Sequence, residues 1–235
     1  MDTLQPFTDR VAIARYAEDT PRKVPGYADL HRMAMLLLAE TAPEAANILV
    51  YGAGGGLELK AFAEAQPSWS LTGVDPSAEM LDLAREVLGP IIDSVILQQG
   101  FIDDAPGGPF DGATCLLTMH FLDRAARLYA LRQLRLRLKP GARLVIAHHS
   151  CPAGVNAQPW IARSIAFSDT GRNDLQAACV SAEAMVSVLP ILFSDEEEAL
   201  LREAGYSDVS LFYAAFSFRG WVATAGSLAP GAFSA

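Results

Sequence analysis

The chain has 235 residues, 51% of them hydrophobic and 19% charged, with a formal net charge of −9. That length is long for one plain domain and short for two, so one domain with an elaborated substrate region is expected, and the composition supports a full core. The acidic balance argues against a phosphate-tracking groove, which needs Lys and Arg, and no apolar run reaches the length of a membrane span. The start "MDTLQPFTDR" lacks a basic segment followed by an apolar one, so a cytoplasmic protein is expected. Its expected partner is a small-molecule substrate, with no nucleic acid and no membrane, and a homodimer is allowed. Cys115, Cys151 and Cys179 are widely spaced without a CxxC pair, which points to reduced thiols rather than zinc or redox work, and no metal site is expected.

In chain order, "NILVYG" (47–52) is a buried-type strand ending at glycine, and "GLELKAFAEAQP" is a helix stopped by Pro67. "WSLTGVD" (69–75) is a second strand closing on an acid. Pro76 then suits a first helical turn, and Met80, Ala84, Val87 and Leu88 form an inward stripe. "SVILQQG" and "DGATCLLTM" are the third and fourth strands. The next helix carries Leu128, Leu131, Leu134 and Leu138 on one face and stops at Pro140 and Gly141, and "RLVIAHH" is the fifth strand. Such alternation predicts a parallel sheet covered on both faces.

After residue 150 the regularity breaks. "SCPAGVNAQPW" is loop-like, and 160–190 reads as helices of weak periodicity, so 150–192 is taken as a substrate-region insertion and 1–44 as an N-terminal helical cap. In "SDEEEALLREAGY", Ser194 and Glu197 form a candidate capping box and Gly205 a C-cap. The acids at 195–198 complement the helix dipole and read as a solvated face rather than a metal site. "DVSLFYAAF" and "FRGWVATA" are too closely linked to be parallel and form an antiparallel hairpin. The fold class is therefore α/β, a Rossmann-like seven-stranded, mostly parallel sheet with a C-terminal antiparallel hairpin and helices on both faces.

"ILVYGAGGGLELKAF" decides among nucleotide loops. In the dinucleotide pattern GxGxxG, counted from Gly52, the third glycine falls at Leu57; the spacing present, Gly52, Gly54 and Gly56, is GxGxG. With "LTGVDPSAEMLDLARE", "FDGATCLLTMHFL", "LRLRLKPGARLVIA" and the terminal hairpin in order, the chain resembles the class I S-adenosylmethionine-dependent methyltransferases over roughly residues 45–225. "FTDRVAIARYAEDTPRKVPGYADL" is most similar to the opening of the carboxy-S-adenosylmethionine synthase group.

The resemblance implies that Tyr27 covers the methionine end of the cofactor, lined also by Gly52, Ala53 and Gly54. Asp75 and Pro76 would meet the ribose, Phe101 and Ile102 the adenine, and Leu116 the floor near the sulfonium, with Met80 joining this set. Three departures stand out. Val50 occupies the place of an acid two residues before the first glycine, which removes one anchor for the cofactor's ammonium. Phe101 replaces an Asp that accepts from the adenine amino group, a bond left to Asp103 if any residue makes it. "VSAEAMVSVLP" lacks the Lys or Arg that a carboxylated cofactor requires, which favours ordinary S-adenosylmethionine unless Arg163 or Arg172 substitutes.

Methyl transfer needs mainly positioning and a dry site. His120 after the fourth strand and His148 and His149 after the fifth lie at the carboxyl edge where open parallel sheets bind ligands, as candidates to orient a nucleophile or take its proton, or else as strand caps. Tyr16, Tyr27 and Trp160 are candidates for an aromatic wall beside the sulfonium. Cys151 has no evident base and reads as a loop thiol. The leading expectation is a methyltransferase acting on a small molecule with S-adenosylmethionine. The alternatives are a carboxy-S-adenosylmethionine synthase-like enzyme using the carboxylated cofactor and a non-catalytic cofactor-binding protein.

Overall fold

A computed structural model of the chain describes residues 10–169 and 174–227. Helices α1 (Arg10–Lys23) and α2 (Tyr27–Ala39) precede the first strand, β1 (Asn47–Tyr51). Then follow α3 (Leu57–Ala65), β2 (Ser70–Asp75), α4 (Ala78–Leu88), β3 (Val95–Gln99), β4 (Phe110–Leu116), α5 (Arg124–Arg137) and β5 (Leu138–His149). Helices α6 (Ala157–Ser168) and α7 (Leu175–Val188) lie in the stretch expected to be an insertion, and α8 (Ser194–Glu203), β6 (Tyr206–Ala215) and β7 (Phe218–Ala225) follow.

The seven strands lie in the order β3-β2-β1-β4-β5-β7-β6. The first five pair in parallel, while β7 runs antiparallel to both β5 and β6, as the short link from Ala215 to Phe218 requires. Buried side chains divide between two faces. Leu144 and Ile146 pack with Leu131 and Leu134 of α5 and Leu200 and Leu201 of α8, whereas Val145 and Ala147 pack with Leu30 and Leu38 of α2 and Phe62 of α3. Alternation along β5 thereby assigns consecutive residues to opposite layers.

Three local expectations change. Pro76 precedes the helix instead of opening it: Ser77 is the N-cap, its Oγ accepting from Met80 N. The fifth strand begins at Leu138, where the stripe of α5 was expected to end. Lys139 is held extended by the following proline and Leu138 pairs with Phe110, so α5 stops before Pro140. No capping box forms at Ser194 and Glu197: the N-cap of α8 is Phe193, whose side chain cannot accept, and its N donates to Glu196 Oε2 at 2.8 Å.

Glu197, thus free of the cap, is no solvated acid. It is 1% exposed and its Oε1 meets both Arg127 Nη1 and, at 2.9 Å, His148 Nε2. Arg127, 0% exposed, also donates through Nη2 to the carbonyls of Leu122 (3.1 Å) and Pro190 (2.9 Å). One network thus joins α5, α8, the end of β5, the loop after β4 and the end of the insertion. Removing one partner strands a buried charge, so Arg127→Met is expected to lower stability by about 3–5 kcal/mol. Arg127→Met/Glu197→Met should recover most of that loss, as read by urea unfolding.

Candidate functional site

Between β1 and α3 the chain turns through Gly52 and Gly56, both at φ 79°. A Cβ on Gly52 would fall 2.0 Å from Thr118 Oγ1, and one on Gly56 2.9 Å from Ala84 Cα, so space as well as backbone conformation demands glycine at both. Gly54 N donates to Asp75 Oδ2 (2.8 Å) and Ser77 N to Asp75 Oδ1 (3.0 Å). Burial raises the pKa of Asp75, and these two amides counter the rise. An ionised carboxylate has about four acceptor positions, so two amides leave capacity for hydroxyl donors.

Asp75 lies in a cleft lined also by Gly52, Gly54, Pro76, Met80 and Phe101, with Leu116 on the β4 side. Two further cavities adjoin it, and Tyr16 and Leu117 line all three. Leu117 has φ 58°, a conformation that costs a branched side chain energy and that tends to persist where a site is built.

The second cavity is bounded by Tyr16, Lys23, His120, Phe121, His149 and Phe218. His149 Nδ1 bonds Ser217 Oγ at 2.8 Å, and Ser217 Oγ bonds Ser164 Oγ at 2.6 Å, which fixes the ring. Burial first, then the neighbouring His148, pushes the pKa of His149 down to about 3. Burial also holds His120 well below its ordinary value; the two rings meet edge to face at 4.9 Å. Both are neutral at physiological pH; His149 is hydrogen-bonded, whereas His120 Nδ1 is buried without a partner among the described residues.

The third cavity is lined by Tyr27, His31, Gly52, Ala53, Gly55 and Glu58. Glu58 went unnoticed in the sequence. It sits in the first turn of α3, 6% exposed, and its Oε1 is buried without a hydrogen-bond partner. Thr114 is a polar neighbour that slightly lowers its pKa, but the Thr114 hydroxyl too lacks a bond of good geometry. Burial dominates and pushes the carboxyl up to about 7. The signal available in the sequence was its spacing: Glu58 lies four residues before the buried Phe62 and beside the buried Leu59, on the inner face of the helix.

The structure thus gathers Gly52, Gly54, Asp75, Pro76, Met80, Phe101 and Leu116 around one cleft, sets Tyr27 and Ala53 in the adjoining cavity, and brings His120 and His149 to the second. Other expected residues lie elsewhere. His148 faces the opposite layer from His149, 0% exposed between Glu197 and Trp221, because neighbours on a strand point to opposite faces. Ile102 turns into the core with Tyr51 and Ala105 while Phe101 stays at the cleft. Asp103 accepts from Tyr129 Oη at 2.5 Å and does not line the cleft. Trp160 is covered by Arg163 at 4.7 Å and Arg219 at 5.6 Å, which engages Arg163 outside the cleft. Arg172 lies outside the described residues. Cys151 is buried, with its thiol pushed up to about 11, and so is no nucleophile. Among the described residues no group of three or more His, Cys, Asp or Glu could hold a metal ion, and no helix is long and apolar enough to cross a membrane.

A family described as "Methyltransferase domain" matches residues 49–144, from β1 into β5. The carboxy-S-adenosyl-L-methionine synthase of Chromohalobacter salexigens is 26% identical over 226 residues, covering 92% of this chain and 82% of that protein. The enzyme of the same name from Alteromonas mediterranea is 23% identical over 224 residues, covering 92% and 90%. Among solved structures, an O-methyltransferase family protein from Burkholderia thailandensis superposes with a TM-score of 0.68 at 13% identity, over 94% of this chain but only 62% of that one. The S-adenosylmethionine-dependent methyltransferase SibL in its apo form gives 0.61 at 19% identity, over 96% and 73%. These likenesses establish a shared fold.

The buried Glu58 has a measurable signature. The fold favours its neutral form, so its contribution to stability is intact below pH 4.5 and is lost as pH rises through about 7. Relative to wild type, Glu58→Gln should therefore gain stability between pH 5 and pH 8, approaching about 3 kcal/mol, in chemical denaturation of the unliganded protein at each pH.

Proposed function

We propose that the chain, which resembles the class I S-adenosylmethionine-dependent methyltransferases, transfers a methyl group from S-adenosylmethionine to a small-molecule acceptor held between α1, His120 and His149. The observation that carries this reading is the junction of two cavities. The cleft at Asp75 and the cavity at His149 share Tyr16, Met80, Leu117 and Phe121, so a molecule in each would meet at that shared wall.

The residues present fit the cofactor. Gly52 and Gly54 line the cleft with backbone, Asp75 has acceptor capacity for ribose hydroxyls, and Phe101, 51% exposed at the rim, offers a ring to adenine. When bound, S-adenosylmethionine supplies a methyl group on a sulfonium already activated for in-line displacement. The chain's own part is then to orient and to exclude water. Met80, Leu116, Leu117 and Phe121 make the junction apolar. His149, with Nδ1 engaged by Ser217, has Nε2 for the acceptor, and its neutral state makes it an orienting partner for a hydroxyl or amine rather than a strong base. Proximity accounts for most of the expected rate.

A carboxy-S-adenosylmethionine synthase-like activity is the second reading, favoured by the names of the two curated relatives. It calls for a cation beside the extra carboxylate. Among the described residues no Lys or Arg lines the Asp75 cleft or the Glu58 cavity, and the cavity at His149 is lined by the exposed Lys23 and by Asp19.

Mass spectrometry of ligand released from freshly purified protein separates the readings: S-adenosylmethionine or its demethylated product supports the first, a carboxylated form the second, and failure of all three to bind in calorimetry refutes both. Asp75→Ala should weaken S-adenosylhomocysteine binding about 10- to 100-fold, and unchanged affinity would remove the ribose role.

A further inference from the structure

We propose that Glu58 is the anchor for the α-ammonium of the cofactor's amino-acid end, an acid supplied by α3 instead of by β1. The inference rests on the cofactor reading above and adds a residue to it.

A carboxylate that is 6% exposed with an unpartnered oxygen is costly unless something arrives to pair with it. Among the described residues no cation does so. The cavity it lines contains no Lys or Arg among the described residues, and burial pushes the one basic ring there, His31, down to about 4, so it is neutral. The missing partner is therefore a cation that enters the cavity. Its position limits which one. Gly52, Leu116, Leu117 and Tyr16 line both this cavity and the Asp75 cleft, so the two are continuous around the glycine turn. Asp75 is tied to one side of that turn through Gly54, and Glu58 lies at the other, beyond Gly52 and Ala53. A single ligand carrying hydroxyls at one end and an ammonium at the other satisfies both acids.

Strand register explains why the acid comes from the helix. Val50 of β1 pairs with Thr114 of β4, and Thr114 is the residue beside the Glu58 carboxyl. Glu58 thus brings its charge next to the strand position that Val50 leaves apolar. As a first-turn residue of α3 it also lies at the positive end of the helix dipole, which favours the ionised form once a cation is present.

The test compares two ligands by calorimetry at pH 8. S-Adenosylhomocysteine carries the amino acid, while 5′-methylthioadenosine keeps adenine, ribose and thioether without it. Glu58→Gln should bind S-adenosylhomocysteine about 10- to 100-fold more weakly than wild type, while 5′-methylthioadenosine binds both within about two-fold. Asp75→Ala should weaken both ligands. Binding of 5′-methylthioadenosine doubles as the folding control, and Glu58→Asp, which keeps the charge on a shorter stem, should retain part of the affinity. Equal S-adenosylhomocysteine affinity in wild type and Glu58→Gln overturns the Glu58 role and leaves the cofactor reading standing. Parallel loss of both ligands overturns it as well, since the effect would not depend on the amine. If wild type binds neither ligand, the cofactor reading falls and this inference with it.

Discussion

The buried contact of Arg127 with Glu197 holds the site side of the molecule in register. Glu197 Oε1 is shared by Arg127 and His148, and Arg127 reaches on to the carbonyls of Leu122 and Pro190. Five segments of the chain therefore converge on one ion pair. Because a buried ion pair tolerates little displacement, the end of β5 and the return of the insertion are placed relative to α5 and α8. His149, one residue beyond the network, is delivered to the opposite layer and to the cavity.

On that far layer a second carboxylate organises the cleft. Asp75 accepts from Gly54 and Ser77, joining the turn after β1 to the turn after β2 and keeping the two strand ends level. Glu58, Asp75 and Glu197 differ by what surrounds them. Glu197 has its cation within the protein, Asp75 has amides, and Glu58 has neither a cation nor a hydrogen bond to its Oε1 among the described residues. Burial raises Glu58 toward neutrality, with Thr114 as the one group that counters it.

The strands, the GxGxG turn, the acid closing β2 and the terminal hairpin were legible because each is written in local signals: runs of apolar residues, glycine spacing and a link too short for a crossover. Where reading failed, the residue's surroundings came from elsewhere in the chain, and the acids among them were the hardest to place. Glu58 and Glu197 both occupy inward positions of their helices, four residues before the buried Phe62 and three before the buried Leu200. An acid in a helix's first turn has a sufficient local reason to be there, and that reason hid their burial. His148 and His149 had to face opposite layers once β5 was recognised, but which layer held the cleft was not written in that strand.

The sequence by itself determined the α/β alternation, the glycine turn and the acid that closes β2 at Asp75, since backbone conformation and hydrophobic period depend on neighbours along the chain. Tertiary structure alone decided which histidine reaches the cavity, that Phe101 and not Ile102 meets the cleft, and that Glu58 lines the cavity beyond Gly52. The physical reason is burial. The state of a charged or polar side chain is set by the groups packed around it, and here those groups come from helices and strands that fold together only after the chain has returned on itself.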